Sequence, residues 1–164
     1  MGNAFVYRMP AGIPGDVTRH EASKIEQQLM DADYPATQYG LPVKMSSGKL
    51  RVMEEDDTDQ PYGFLVRPYP TQVASNEALG AATPDATQIQ DVLVSGYMTV
   101  DNLSGTAAKD GQVYYRTQQT SPEVLIGRIE ADEGSSPDTN QSITNCKFMG
   151  TPDSDGNVEI KFNV

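Results

Sequence analysis

The chain has 164 residues, and 23 acidic against 12 basic side chains give it a formal net charge of −11. This excess of carboxylates excludes general nucleic-acid binding and attraction to an anionic membrane surface, because the chain could not neutralise rows of phosphates. A single cysteine excludes an intrachain disulfide, and a single histidine excludes metal motifs built on two histidines.

The first 24 residues are predicted to form an extended N-terminal arm ahead of one domain over residues 25–164. The arm mixes aromatic, apolar and basic side chains with turn-forming glycine and proline, and it has no apolar run as long as a signal-peptide core. Because an arm cannot bury such side chains alone, it either folds back on its own sheet or lies on a partner. In the second case the contacts are expected at Phe5, Tyr7, Arg8 and Arg19.

Two windows are compatible with a helix, but neither gives a long amphipathic face. In residues 20–30 the apolar side chains Ala22, Ile25 and Leu29 follow helical spacing, although the window is short and bracketed by prolines. Helix and strand therefore both remain open there. The alanine-rich window 75–90 is broken by glycine and proline.

Strand signals are more numerous and recur every ~10–20 residues with turn signals between them. Residues 41–45 and 49–53 flank a Ser-Ser-Gly turn, which predicts a hairpin. The strongest β segment is 91–100, in which Gly96 is expected to mark a bulge or a close approach of backbone. Further short strands are predicted at 64–66, 111–117, 124–129, 143–148 and 158–164.

This pattern predicts an all-β fold, an antiparallel β-sandwich or jelly roll, since no helices alternate with the strands. The polar stretches 71–88 and 132–142 are predicted to be long loops. Val, Leu, Ile and Phe together supply only about a fifth of the chain, a low share for a globular domain. Such a thin core suits a protein that gains stability by burying surface on partners.

No group of residues predicts catalysis, a cofactor or a metal site. The acidic run 54–59 is expected to be a solvated loop tip, and residues 153–157 resemble the start of a calcium loop but lack its final glutamate. His20 has no nucleophile and carboxylate around it in a known motif. Cys146 lies in a predicted strand, where a buried, inert thiol is expected. We therefore expect no enzyme activity.

Several segments stand in a characteristic order along the chain: AGIPGDVTR, YGLPVKM, GKLR, YGFLVRPYP, VLVSGYMTV, GQVYYRT and IGRIEA. Together, from about residue 11 to 131, they resemble the structural cement (decoration) proteins of tailed-bacteriophage capsids, the GDVTR and G-x-LVRPYP blocks being the most specific. The resemblance implies a β-sandwich or jelly-roll subunit that binds the outside of an assembled capsid as a dimer or trimer. It also implies that the subunit staples neighbouring capsomers against internal DNA pressure and has no catalytic residues.

The expected protein is thus a non-enzymatic virion component that is made in the host bacterial cytoplasm and binds the outer capsid surface. Its expected partners are the major capsid protein and a second copy of itself, a homodimer being favoured over a homotrimer. No cofactor and no direct contact with nucleic acid or membrane is expected. The alternative is a carbohydrate- or receptor-binding jelly-roll module on the virion, although the chain has no tryptophan for sugar stacking.

Overall fold

The computed structural model describes residues 12–68, 83–119, 125–134 and 139–164. Within these ranges the chain is all-β, as predicted, with one 3-10 turn at His20–Ala22 and no helix long and apolar enough to cross a membrane. The strands in chain order are β1 (Lys24–Leu29), β2 (Pro42–Ser46), β3 (Lys49–Val52), β4 (Gly63–Leu65), β5 (Ile89–Ser104), β6 (Gln112–Arg116), β7 (Ile129–Glu130), β8 (Asn140–Phe148) and β9 (Asn157–Phe162).

The long strand β5 organises the whole fold, because it takes part in two different sets of strand pairs. Its first half pairs with β1 and β4, and its second half pairs with β9 and β7. All pairs between these named strands are antiparallel except β5–β7, which is parallel. The predicted antiparallel architecture is therefore confirmed, while the jelly-roll connectivity stays a prediction.

The second half of β5 and the four strands that follow it form a closed ring. The pairing runs from β5 through β9, β8, β6 and β7 and returns to β5, so each of these strands has a neighbour on both sides. Alternate side chains fill the interior, as the period of two in the last strand predicted: Val158, Ile160 and Phe162 are all buried. The ring holds the larger of the two cores.

The remaining strands, β1 to β4, join the first half of β5 in what we call the open sheet. It curls so that Met30, directly after β1, forms a bridge with Leu50 of β3. The curl encloses a second core around Met30, Leu50 and Val92. On its other face the open sheet packs on the ring, where the Phe64 and Phe162 rings meet edge to face with centroids 5.2 Å apart. This contact is the sheet-on-sheet packing that a sandwich requires.

Residues 20–30 form the 3-10 turn and β1, so their helical spacing does not produce a helix. Ile25 and Leu29 are four positions apart, a separation that fits a strand period of two as well as a helical period. Backbone pairing with β5 decides between the two, since β1 is aligned with β5 along its whole length.

The hairpin predicted from the Ser-Ser-Gly turn is confirmed: β2 and β3 pair antiparallel, and Ser47 and Gly48 have positive φ angles of 51° and 78°. The prediction at 124–129 is wrong for most of its described part, which is a turn with Gly127 at a φ of 84°. The predicted loop at 132–142 ends earlier than expected, because β8 already begins at Asn140.

Candidate interaction surface

Residues 12–24, the described part of the predicted arm, lie along β5 of their own molecule. The Gly15 N–H donates to the Thr99 carbonyl at 2.9 Å, and the Gly15 carbonyl accepts from the Arg67 N–H at 2.9 Å. Val17 forms a bridge with Met98 and is buried. The chain is therefore anchored here, and the arm boundary at residue 24 stays a prediction because residues 1–11 lie outside the described ranges.

Gly15 shows why the GDVTR block needs its glycine. Its φ is +93°, and a Cβ added there would lie 2.6 Å from the Tyr39 Cβ and 3.0 Å from the Arg67 backbone nitrogen. Only glycine combines this backbone conformation with such a close approach. Gly96 in β5 is a second close approach, as predicted, since an added Cβ would lie 2.3 Å from the Ser23 Oγ.

Arg19 is the one predicted contact residue that the structure describes, and it is engaged within its own molecule. Its Nε and Nη2 donate to the Glu159 carboxylate at 3.0 and 2.8 Å, and its guanidinium carbon lies 4.1 Å from the Tyr97 ring centroid. The hydrogen bond to Glu159 raises the pKa of Arg19 above its usual value, against a smaller opposing effect of burial. The side chain is still 47% exposed, so its use as a capsid or subunit contact stays a prediction. Phe5, Tyr7 and Arg8 lie outside the described residues.

The acidic run 54–59 is not simply a solvated tip. Glu55 is exposed as expected, but Asp57 is buried, and its carboxylate pairs with Lys44 of β2 and accepts the Glu54 and Asp59 amide N–H groups. Burial alone would raise the pKa of Asp57, but the hydrogen bonds from Lys44 and from the two amides outweigh it, and the pKa lies below its ordinary value. The prediction of a solvated tip is wrong for this carboxylate, which holds the run against the open sheet.

Several other cations are also used inside the molecule. Arg51 pairs with Asp31, and Arg116 pairs with the fully buried Glu130 in the ring. Because so many basic side chains are neutralised internally, the excess of carboxylates falls on the outer surface. A protein partner that docks there must present basic or neutral groups rather than acidic ones.

The residues weighed for catalysis or metal binding are not brought together. His20 is exposed in the 3-10 turn, whereas Cys146 is fully buried in the ring core, where burial raises the pKa of its thiol. The expected buried thiol is thus confirmed. Among the described side chains, no group of three or more His, Cys, Asp or Glu is arranged to hold a metal ion.

Open cavities on the described surface include an apolar one and a polar one of similar size. The apolar one of about 400 Å³ lies beside the β2–β3 hairpin and is lined in part by Leu41, Met53 and Ile126. The polar one of about 420 Å³ lies on the ring and includes Tyr114 and Asn140. Neither tests the carbohydrate- or receptor-binding alternative, which stays a prediction.

A third surface feature escaped the sequence reading. Ile25 and Leu29 of β1 and Ile89 of β5 are 41%, 45% and 65% exposed. We call this surface the β1 face. The apolar residues at positions 25 and 29 indicated this face in the sequence, but their spacing also fits a helix, so the sequence alone did not identify an exposed strand face.

Comparison with known families identifies the chain. The family model described as structural cement protein (E217 gp24/Pam3 gp6) matches residues 1–163. The chain belongs to this family. The predicted resemblance to phage cement proteins is therefore confirmed, and it extends beyond residue 131, where the sequence motifs ended.

A solved structure has the same fold. A chain from the capsid of Myoviridae phage XM1 superposes with a TM-score of 0.71 at 16% sequence identity, covering 99% of this chain and 97% of that one. No curated protein matches significantly. Membership of the cement family supports a structural, capsid-associated role in the virion and a protein that is not an enzyme.

Proposed function

We propose that this cement protein binds the outer surface of the assembled phage capsid and staples adjacent capsomers, which stabilises the head against internal DNA pressure. The observation that carries the proposal is the family match over residues 1–163. The mechanism is mechanical: many weak contacts across a capsomer boundary must break together before the lattice can open. No bond is made or broken, so the protein needs no cofactor.

The proposed partners are the major capsid protein and a second copy of this chain, in a homodimer. After synthesis in the host cytoplasm, the protein takes its place on the outside of the head, where its negative charge gives no attraction for the packaged DNA. The same charge keeps a crowded particle surface soluble.

The N-terminal residues are the proposed means of reaching a neighbour. Because residues 12–18 are anchored on β5, the eleven residues before them start from a fixed point and can span at most ~40 Å. Phe5, Tyr7 and Arg8 would supply aromatic and cationic anchors there, and the exposed half of Arg19 would add a fourth contact.

Reconstitution on heads tests the function directly. Purified protein is mixed with expanded capsids that lack it, the particles are sedimented, and rupture is followed by light scattering during heating. We expect the protein to sediment with the capsids and to raise their rupture temperature. If nothing binds and the rupture temperature does not move, the proposed function is wrong.

A deletion of residues 2–11 tests the arm separately. It stops short of Gly12, so the hydrogen bonds between Gly15 and β5 are kept. We expect an unchanged unfolding midpoint and capsid binding at least tenfold weaker, about 1.4 kcal/mol. Unchanged capsid affinity would move the contact from the arm to the loops.

A further inference from the structure

The apolar cavity of about 400 Å³ lies at the seam between the open sheet and the closed ring. Leu41 and Val52 line it from the open sheet, and Leu125 and Ile126 line it from the turn ahead of β7. Val52 packs against the smaller core and Ile126 against the larger one, yet both side chains remain partly exposed. A concave, mostly apolar surface of this size is typical of a binding site. We call it the seam cavity.

The polar part of the seam cavity is acidic. Glu54 and Glu55 line it, and none of its described lining residues is basic. Glu54 pairs with Lys44 at 2.9 Å. Glu55 is exposed and has no ion pair with any residue that the structure describes. An occupant that suits this site therefore combines apolar side chains with a positive charge.

The chain itself contains a segment of this chemistry ahead of its first described residue, Gly12. Residues 1–11 include Phe5 and Tyr7, and Arg8 is their only charged side chain. No lysine or arginine occurs in the other segments outside the described ranges, which are 69–82, 120–124 and 135–138. Of these segments, only residues 1–11 therefore offer both aromatic side chains and a positive charge.

We infer that the N-terminal arm of one copy docks in the seam cavity of a second copy. Phe5 and Tyr7, which share one side of an extended segment, enter the cavity, and Arg8 pairs with Glu55 at its rim. The inference rests on the proposed function and deepens it, because it names the surface that the arm grips in the homodimer. Each copy supplies one arm and one cavity, so the arms can be exchanged about a two-fold axis and neither site is complete without the other copy.

The reach of the arm fits an exchange between copies. Gly12 lies against the Thr99 side chain of β5, so the arm leaves from a fixed point. Eleven extended residues span at most ~40 Å, which is enough to leave the surface of their own molecule. An arm held in its own cavity could not anchor a neighbour, which is its role in the proposed function. Exchange of a terminal segment between identical copies is a low-cost route to a dimer.

Charge and conformational entropy set the strength of this contact. Two copies with a net charge of −11 each repel one another, and the pairing of Arg8 with Glu55 offsets part of that repulsion. Aromatic side chains bury a large apolar area and lose little conformational freedom, which makes them effective anchors. Ordering the arm still costs free energy. The contact is therefore weak in dilute solution and strengthens where the capsid concentrates the copies.

Chemical cross-linking tests the docking and leaves the aromatic residues and the arginine of the arm unchanged. Chains with Met9→Cys are mixed with longer, tagged chains that carry Thr37→Cys at the seam cavity, and a short bismaleimide joins neighbouring thiols. Ser142→Cys replaces Thr37→Cys in the matched control, because Ser142 is also exposed but lines the polar cavity on the ring. The native Cys146 is buried and does not react.

The mixed dimer is measured on gels after cross-linking in concentrated solution and on capsids. We expect at least tenfold more mixed dimer with Thr37→Cys than with Ser142→Cys. Equal linking of the two, or no linking of Thr37→Cys on capsids, overturns the inference. A single chain with both Met9→Cys and Thr37→Cys reports docking in its own cavity, and a linked monomer as its main product also overturns the inference.

An exchange of charges tests the ion pair in the same assay. Arg8→Glu in the chain that supplies the arm, or Glu55→Arg in the chain that supplies the cavity, places like charges at the contact and should reduce the mixed dimer at least fivefold. Both changes together should restore at least half of it. Glu133→Arg is the matched control, because it makes the same change at an exposed position on the ring and should leave the mixed dimer unchanged.

Failure of the combined charge exchange to restore the mixed dimer overturns the inference, because Arg8 would then contact something other than Glu55. The same capsid samples are also sedimented. Wild-type protein that does not bind capsids overturns the proposed function, whereas bound protein without the mixed dimer overturns only the docking of the arm in the seam cavity.

Discussion

The closed ring and the open sheet share β5 but treat their strand edges in opposite ways. In the ring the pairing returns to β5, and no strand is left with a free edge. In the open sheet β1 meets β3 only through the single bridge between Met30 and Leu50, and the β1 face is exposed. The difference teaches that the ring is closed by continuous strand pairing, while the open sheet is closed less completely and carries most of the exposed large apolar side chains of the described chain.

The largest expected effect comes from removing the side-chain contact that holds the open sheet against the closed ring. Phe162→Ala removes the phenyl group that packs on Phe64 and leaves a cavity in the larger core. We expect a loss of about 4 kcal/mol in the free energy of unfolding, measured with urea. Ile89→Ala, at an exposed position, should change it by less than ~0.5 kcal/mol. Equal losses would contradict the division into core and open face.

The buried carboxylate of Glu130 tests how the closed ring is stabilised, because its partners all lie in that part of the molecule. Glu130 is fully buried and accepts hydrogen bonds from Arg116, from Asn140 at 2.7 Å and from Ser104 at 2.9 Å. Arg116→Met leaves the carboxylate without its cation, and we expect a loss of about 3 kcal/mol in chemical denaturation. Adding Glu130→Gln should restore at least half of it. Failure of the double variant to recover would mean that packing, not charge, holds this site.

The ion pair between Lys44 and Asp57, at the rim of the open sheet, should make the free energy of unfolding depend on pH. Because the pKa of Asp57 is lowered in the folded state, its contribution is present above the ordinary aspartate pKa of ~3.9 and is lost as pH falls through the folded-state value. Lys44→Met is expected to cost about 2 kcal/mol near neutral pH.

The acid limb of the stability curve then distinguishes loss of the ion pair from loss of packing. Without Lys44 the pKa of Asp57 is no longer held down by its cation, so protonation of this carboxyl costs the variant less stability than it costs the wild type, and the urea midpoints of the two proteins should converge as pH falls. An identical pH dependence in both proteins would show that Lys44 does not set the pKa of Asp57.

The smallest effect is expected where residues 12–23 meet the outside of the ring. Arg19→Ala removes a half-exposed ion pair, so the free energy of unfolding should fall by less than ~1 kcal/mol. Hydrogen exchange should quicken at Thr18, whose N–H donates to the Tyr97 carbonyl, and stay unchanged in the ring. A global loss well above that value would make Arg19 part of the scaffold rather than a surface clamp.

Local chemistry explains which parts of the fold were predictable. The Ser-Ser-Gly turn fixed the β2–β3 hairpin, and strict alternation fixed β9, because both signals lie within a few neighbouring residues. The ring could not be read from the sequence, since its closure depends on β5 pairing with β7 across 27 positions at Asn102 and Ile129. At β1, spacing alone did not separate strand from helix, and only the pairing with β5 did.

The candidate surface was predictable to a smaller extent. The basic residue Arg19 stood out in an acidic chain, but its partner Glu159 lies 140 positions away. Asp57 was likewise read as solvated because its cation, Lys44, comes from a different strand. In both cases the type of residue was informative, whereas the neighbour that determines its behaviour is brought near only by the folded chain.

The sixteen-residue span of β5 has a mechanical consequence. A pulling force applied between the Ile89 end of β5, in the open sheet, and its Ser104 end, in the ring, would act nearly parallel to this strand. The hydrogen bonds on both of its flanks would then be strained in shear and would have to yield as a group, instead of unzipping one after another. A subunit built around such a strand resists extension far better than its modest interior would suggest.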